Sequence, residues 1–168
     1  MESRAKLLGH PIHQILIVFP LGLLATAVVF DLIYLFTDNP TMATVSYWMI
    51  AAGILGGFAA APFGWIDWFA IPQGTRAKSV GLLHGAGNVL VLLLFVGSWL
   101  LRRDAPERPE TIEYVLSFAG AGLALVTGWL GGELVDRLGV GVDDGAHLNS
   151  PNSLSGRPAG ENTRDASV

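Results

Sequence analysis

Four long apolar runs, separated by short polar stretches, organise this chain. They cover about residues 10–36, 42–68, 80–101 and 112–138, and each predicts a helix. Every run reaches or exceeds the roughly 20 residues that a helix needs to cross the hydrocarbon core of a bilayer. The breaks carry turn chemistry. Thr37-Asp38-Asn39-Pro40 separates the first two runs, residues 71–79 hold Pro72 and Gly74, and residues 102–110 hold Pro106 and Pro109. Pro11 suits the first turn of a helix, where its missing N–H leaves no bond unmade. Short connections make consecutive helices antiparallel neighbours. The expected fold is therefore all-α: an integral membrane four-helix up-down bundle over residues 1–142. Residues 143–168 are rich in Gly, Ser, Asn, Pro and charge, and read as a disordered polar tail.

Composition supports membrane insertion. Of 168 residues, 51% are hydrophobic and only 14% charged, where a soluble domain carries about 25% charged residues. The first run is too long for a cleaved signal peptide and contains Asp31, so it reads as an uncleaved first helix. No basic block suggests nucleic-acid binding. The absence of cysteine removes disulfides, thiol nucleophiles and cysteine-ligated clusters. Trp48, Trp65, Trp68, Trp99 and Trp129 lie towards helix ends, as an interfacial belt places them. Arg4, Lys6, Arg76, Lys78 and Arg137 share one side of the membrane; Arg102, Arg103 and Arg108 share the other. The positive-inside rule then favours both termini in the cytoplasm. Pro20 and Pro62 are expected to kink the first two helices.

The two halves resemble each other weakly. His10 through Ile17 can be laid over His84 through Val91, and Gly56, Ala60, Gly64 and Trp65 over Gly120, Ala124, Gly128 and Trp129. A duplicated hairpin is one reading, with halves related by an axis along the membrane normal. Chance alignment of Gly/Ala-rich helices is the other. The stripes Ala52-Gly56-Ala60-Gly64 and Gly120-Ala124-Gly128-Gly132 predict a tight contact involving the second and fourth helices within the bundle, or alternatively a homodimer seam.

Up-down topology brings His10, His13, His84, Asp67, Glu133 and Asp136 to one membrane face. His10, His13 and Asp31 share one face of the first helix, with about 31 Å from His10 to Asp31. Ionisable groups within or beside membrane spans are functional candidates. Three chemistries suit the set. Paired histidines can hold haem b axially, with His10 or His13 opposite His84. Imidazoles with the carboxylates Glu133 and Asp67 can hold a transition-metal ion or serve as its supporting groups. Histidine with Glu133 and Asp31 can relay protons in a small carrier or act on a quinone. A structural reading stands beside them: His10 caps a helix, Asp67 pairs with Arg76 or Lys78, Asn88 bonds a neighbouring helix, and Asp31 is hydrated near the far interface. An accessory subunit that docks a larger membrane redox partner follows from that reading. No nucleophile, phosphate loop or catalytic triad marks an enzyme.

The residues Gly9-His10-Pro11-Ile12-His13, then Phe19-Pro20 and Asp31, resemble the opening signature of an uncharacterised bacterial membrane family, domain of unknown function 2231. Gly64 to Asp67, Gly81 to His84 with Asn88, and Gly131 to Val135 followed by Gly139 to Val142 are similar to its later blocks. The resemblance covers about residues 7–142. It implies a four-helix membrane protein and brings no established activity. Some members are joined to Rieske-type iron–sulfur domains, which implies a redox or electron-transfer setting.

Overall fold

In the computed structural model, residues 1–162 are described; the tail expectation for residues 163–168 lies outside them. A two-stranded antiparallel ribbon opens the chain, β1 (Lys6–Leu7) with β2 (His10–Pro11). Its turn residues Leu8 and Gly9 both take positive φ, 53° and 85°, as a two-residue hairpin turn of this hand requires. The helices are α1 (Ile12–Leu16), α2 (Val18–Thr37), α3 (Pro40–Ala70), α4 (Arg76–Leu101) and α5 (Thr111–Gly132). A 3-10 turn, Arg102–Asp104, extends α4, and a π-helical turn, Glu133–Arg137, extends α5. With α1 and α2 taken together, four helices are long and apolar enough to cross a membrane.

The first expected helix begins at Ile12 rather than His10, which belongs to β2, and it breaks at Ile17. The cause of the break is Pro20, which has no N–H for the carbonyl of Leu16; the ladder resumes with Leu21 N–H donating to Ile17 O at 3.1 Å. α3 runs on through Pro62. The turn between α2 and α3 uses its sequence as expected. Asp38 takes a left-handed conformation after α2. Asn39 caps α3 by accepting from Thr41 N–H, and Pro40 holds the first position. Thr75 caps α4 through Lys78 N–H.

α2 packs along α3, and α4 along α5; the two hairpins then meet chiefly through α3 and α4. Leu24, Ala27, Ile50, Ile54, Val91 and Phe95 form the core. Glycines make the close approaches. A Cβ on Gly53 would meet Leu24, one on Gly56 would meet Phe19 and Pro20, and one on Gly120 would meet Phe95. The small-residue stripes therefore serve close contacts of the second and fourth helices within the bundle, as expected, each with the partner helix of its own hairpin. Gly128 has nothing near it and Gly132 faces outward. Three of the five tryptophans, Trp48, Trp65 and Trp129, are exposed. Trp68 and Trp99 turn inward: Trp68 Nε1 donates to Lys78 O at 3.1 Å, and Trp99 stacks on Tyr47.

Burial reveals how the halves correspond. Leu24, Ala27 and Asp31 are the buried residues of α2, and Phe95, Ser98 and Arg102 repeat them with the same spacing at the end of α4. In α3, Ser46, Tyr47, Ile50, Gly53 and Ala60 are buried; Glu113, Tyr114, Ser117, Gly120 and Thr127 repeat that pattern in α5. This register pairs His13, not His10, with His84. It also differs from the Gly/Ala alignment read from the sequence, because burial follows the helix face and not glycine content.

Asp31 and Arg102 thus occupy equivalent positions, and they meet. Nη1 of Arg102 donates to Oδ1 of Asp31 at 2.7 Å and Nη2 to Oδ2 at 2.8 Å, with both side chains fully buried. Asp31 is therefore not hydrated near the interface. Ser46 and Ser117 hydroxyls and the Glu113 carbonyl accept further bonds from its Nη atoms at 3.3–3.4 Å, while Nε finds no partner among the described residues. Ser117 also donates to Asp31 at 3.2 Å. Arg102→Met strands the carboxylate and is expected to cost about 3–5 kcal/mol, while Asp31→Leu with Arg102→Met together fall far short of that loss. Thermal unfolding in detergent of the single and double variants measures both.

The described residues beyond the π-helical turn, up to residue 162, form turns and one 3-10 turn, Ser153–Ser155. They tie to the N-terminus. Gly141 N–H donates to Met1 O at 2.9 Å, and Lys6 Nζ bridges Glu2 and Asp143. The Lys6 ammonium holds the Glu2 carboxyl below its ordinary value; Asp143 and Glu2 hold Lys6 above its own. The Glu2 contribution is complete above its unfolded value and is lost as pH falls through the lowered folded one. The Lys6 contribution is complete below its unfolded value and is lost as pH rises through the raised folded one. Protection of the Gly141 amide, followed by hydrogen exchange corrected for intrinsic rate, is expected to hold between the unfolded values of Glu2 and Lys6, about pH 4.5 to about pH 10.5, and to fall outside that window.

Candidate functional site

At the other end of the bundle a second pair of equivalent residues meets. His13, at the break between α1 and α2, and His84 of α4 place their ring centres 6.5 Å apart with planes at 86°. Each ring reaches across to the partner helix of its own hairpin. His13 Nδ1 lies 3.0 Å from Ala60 O in α3, and His84 Nδ1 lies 2.8 Å from Thr127 O in α5. A carbonyl can only accept, so both Nδ1 atoms carry the proton. In that tautomer Nε2 is the nitrogen that offers a lone pair.

Glycine makes room for both rings. A Cβ at Gly64 would lie 2.9 Å from His13 Cε1, and one at Gly131 would lie 3.1 Å from His84 Cε1. Ala60 with Gly64 and Thr127 with Gly131 thus form the same device twice: a carbonyl, then a gap one turn later. The environments differ. Asn88 Nδ2 donates to His84 O at 2.9 Å and stands 3.3 Å from His84 Nε2. Thr127 Oγ1 donates to Asn88 Oδ1 at 3.0 Å, tying α4 to α5 as expected for Asn88. His13 has no such amide; Ile17 holds the position equivalent to Asn88.

The other expected members lie apart from this pair. His10 is exposed on β2, with Nε2 3.4 Å from Ser153 Oγ. Asp67 accepts from Ser3 Oγ at 2.8 Å and from Arg4 N–H at 2.7 Å, so it clamps the N-terminal segment instead of pairing with Arg76 or Lys78. Glu133 pairs with Arg76 at 2.6 Å. Lys78 is buried, donates to Trp68 O at 2.7 Å and lies 3.8 Å from the Trp68 ring centre. Asp136 borders a small surface cleft with Glu133 and Arg137. Among the described residues no group of three or more His, Cys, Asp or Glu side chains could hold a metal ion.

Arg102 is the functional residue that reading the sequence misses: it reads as a loop charge just past an apolar run. The signal available was the spacing Leu24, Ala27, Asp31 repeated in Phe95, Ser98, Arg102.

Four membrane-length helices with histidines inside the spans define an integral membrane bundle. The model for a predicted membrane protein family, DUF2231, matches residues 9–144, and the chain belongs to that family. No curated protein and no solved structure matches the chain.

Gly64→Ala and Gly131→Ala push the added methyl into an imidazole, with an expected loss of about 1–3 kcal/mol each. Gly128→Ala meets open space and is expected to be neutral or slightly stabilising through helix propensity. Melting temperatures in one detergent rank the three.

Proposed function

We propose that this protein is a membrane redox or electron-transfer module that takes a transition-metal centre between His13 and His84. The observation that carries the reading is the meeting of two imidazoles, one from each hairpin, with both Nδ1 atoms held by main-chain carbonyls. Metal-ligating histidines characteristically donate their second N–H to such a group, which fixes the tautomer and raises ligand basicity. The separation also fits. Two imidazoles on opposite sides of one ion, at about 2.0–2.1 Å per bond, have ring centres roughly 6.4 Å apart, against 6.5 Å here. The centre is either a bare ion or the iron of haem b. The small cleft lined by Trp129, Glu133 and Asp136 at this end does not include the histidines, and a bare ion needs less room between the rings than a porphyrin. His10, Asp67 and Glu133 are held by other contacts and are not ligands in this reading.

A second reading is a cofactor-free accessory subunit. It draws on the same contacts, since Asp67, Glu133 and Asn88 all brace the fold. A proton-linked carrier draws less support: Asp31 is locked to Arg102, and an apolar core separates it from the histidines. We place the protein in a bacterial inner membrane with both termini in the cytoplasm. The basic residues Arg4, Lys6, Arg76 and Arg137 at the histidine end favour that orientation.

The test is the visible spectrum, oxidised and dithionite-reduced, with elemental analysis of the same detergent-purified sample. Expression is carried out with ample haem and metals. A Soret band or stoichiometric metal is expected in the natural protein and in His10→Ala, and is lost in His13→Ala and in His84→Ala. A colourless, metal-free protein overturns the proposal in favour of the accessory subunit.

A further inference from the structure

A groove of about 780 Å³ opens on the side of the bundle, between the end of α2 and the start of α5. It lies at the Asp31–Arg102 end, about 27 Å along the helices from the histidines. Its size falls within the range of small-molecule sites. One wall is a ladder of aromatic rings. Tyr34 stacks on Tyr114, with ring centres 6.3 Å apart and planes at 22°, and Phe118 follows at 6.1 Å from Tyr114. The ladder descends from the membrane surface. Tyr34 stands one turn outside Asp31, and Phe118 is the neighbour of Ser117, which touches Asp31.

Two features select what fits. Tyr114 is 7% exposed and, among the described residues, its hydroxyl has no hydrogen-bond partner, an arrangement that is disfavoured unless an acceptor or donor arrives. The charge of the groove is negative: Glu110 is the charged residue in its wall, while the Arg102 guanidinium behind Tyr114 is paired through both Nη atoms with Asp31. A phosphate headgroup would face a carboxylate with no cation in the wall. A neutral planar ring with carbonyl oxygens meets neither obstacle, and flat rings stack favourably on tyrosine.

We propose that this groove binds an isoprenoid quinone. The ring lies against the Tyr34–Tyr114 pair, a ring carbonyl accepts from the Tyr114 hydroxyl, and the isoprenoid chain leaves along Val115 and Phe118 into the lipid. The histidines play no part, so the site stands or falls separately from the metal centre.

The test uses the full chain in phosphatidylcholine–phosphatidylglycerol nanodiscs with a photoreactive short-chain quinone, followed by peptide mapping. Labelling is expected within residues 109–118, and an excess of unlabelled decyl-quinone is expected to compete it away. Val115→Trp, at a position 53% exposed and outside the core, fills the groove and is expected to lower labelling about tenfold. Tyr114→Phe is expected to weaken competition by unlabelled quinone about fivefold. His13→Ala and His84→Ala are expected to label normally. Labelling spread over all four helices overturns the proposal, as does labelling that Val115→Trp leaves unchanged. If raising the phosphatidylglycerol content displaces the label as well as quinone does, the groove is a phospholipid site instead.

Discussion

The ion pair between Asp31 and Arg102 fixes how the two halves of this protein meet. Each residue closes the buried stripe of its helix, and each stands at the same place in its hairpin. Two identical hairpins would bring like charges together there, and in the low-dielectric interior that juxtaposition is prohibitive. One aspartate and one arginine turn the same geometry into a bidentate pair with both side chains fully buried. Such a pair survives only if its remaining donors are satisfied, and Ser46, Ser117 and the Glu113 carbonyl do most of that. The halves are therefore complementary rather than interchangeable, and the pairing is written into one chain.

Contacts between equivalent residues lie on the axis that relates the halves. The axis has charge chemistry at one end and imidazole chemistry at the other. Between them sit Leu24, Ala27, Ile50, Ile54, Val91 and Phe95, packed without a polar step. The two ends are thus chemically separate: an ion-pair clamp at one leaflet and a pair of imidazoles at the other. The glycines explain how imidazoles reach main-chain carbonyls inside helices. Gly64 and Gly131 remove the Cβ that would otherwise occupy the ring.

Much of the bundle was legible because it follows from length and hydropathy alone. Four apolar runs with turn residues between them leave few alternatives, and the caps at Asn39 and Thr75 follow local rules. The site was legible only in part. His13, His84 and Asn88 stood out as polar residues in apolar runs. His10 stood out for the same reason, but the strand turn at Leu8–Gly9 carries it to the surface, and helical periodicity does not reveal a turn. Arg102 was hidden by its neighbours, since Arg103 and Asp104 make it look like part of a charged loop. The glycine stripes showed which face makes close contacts, but spacing does not say which helix that face meets.

The most direct test of the two-imidazole site is nitrogen NMR of histidine-labelled protein in detergent, recorded before and after adding haemin or a divalent transition metal. The account predicts that His13 and His84 begin as neutral rings protonated at Nδ1. Their two Nε2 signals should then move together on loading, while His10 and His147 stay unchanged. Signals from His13 and His84 that ignore every added metal, or a response confined to the surface histidines, would contradict it.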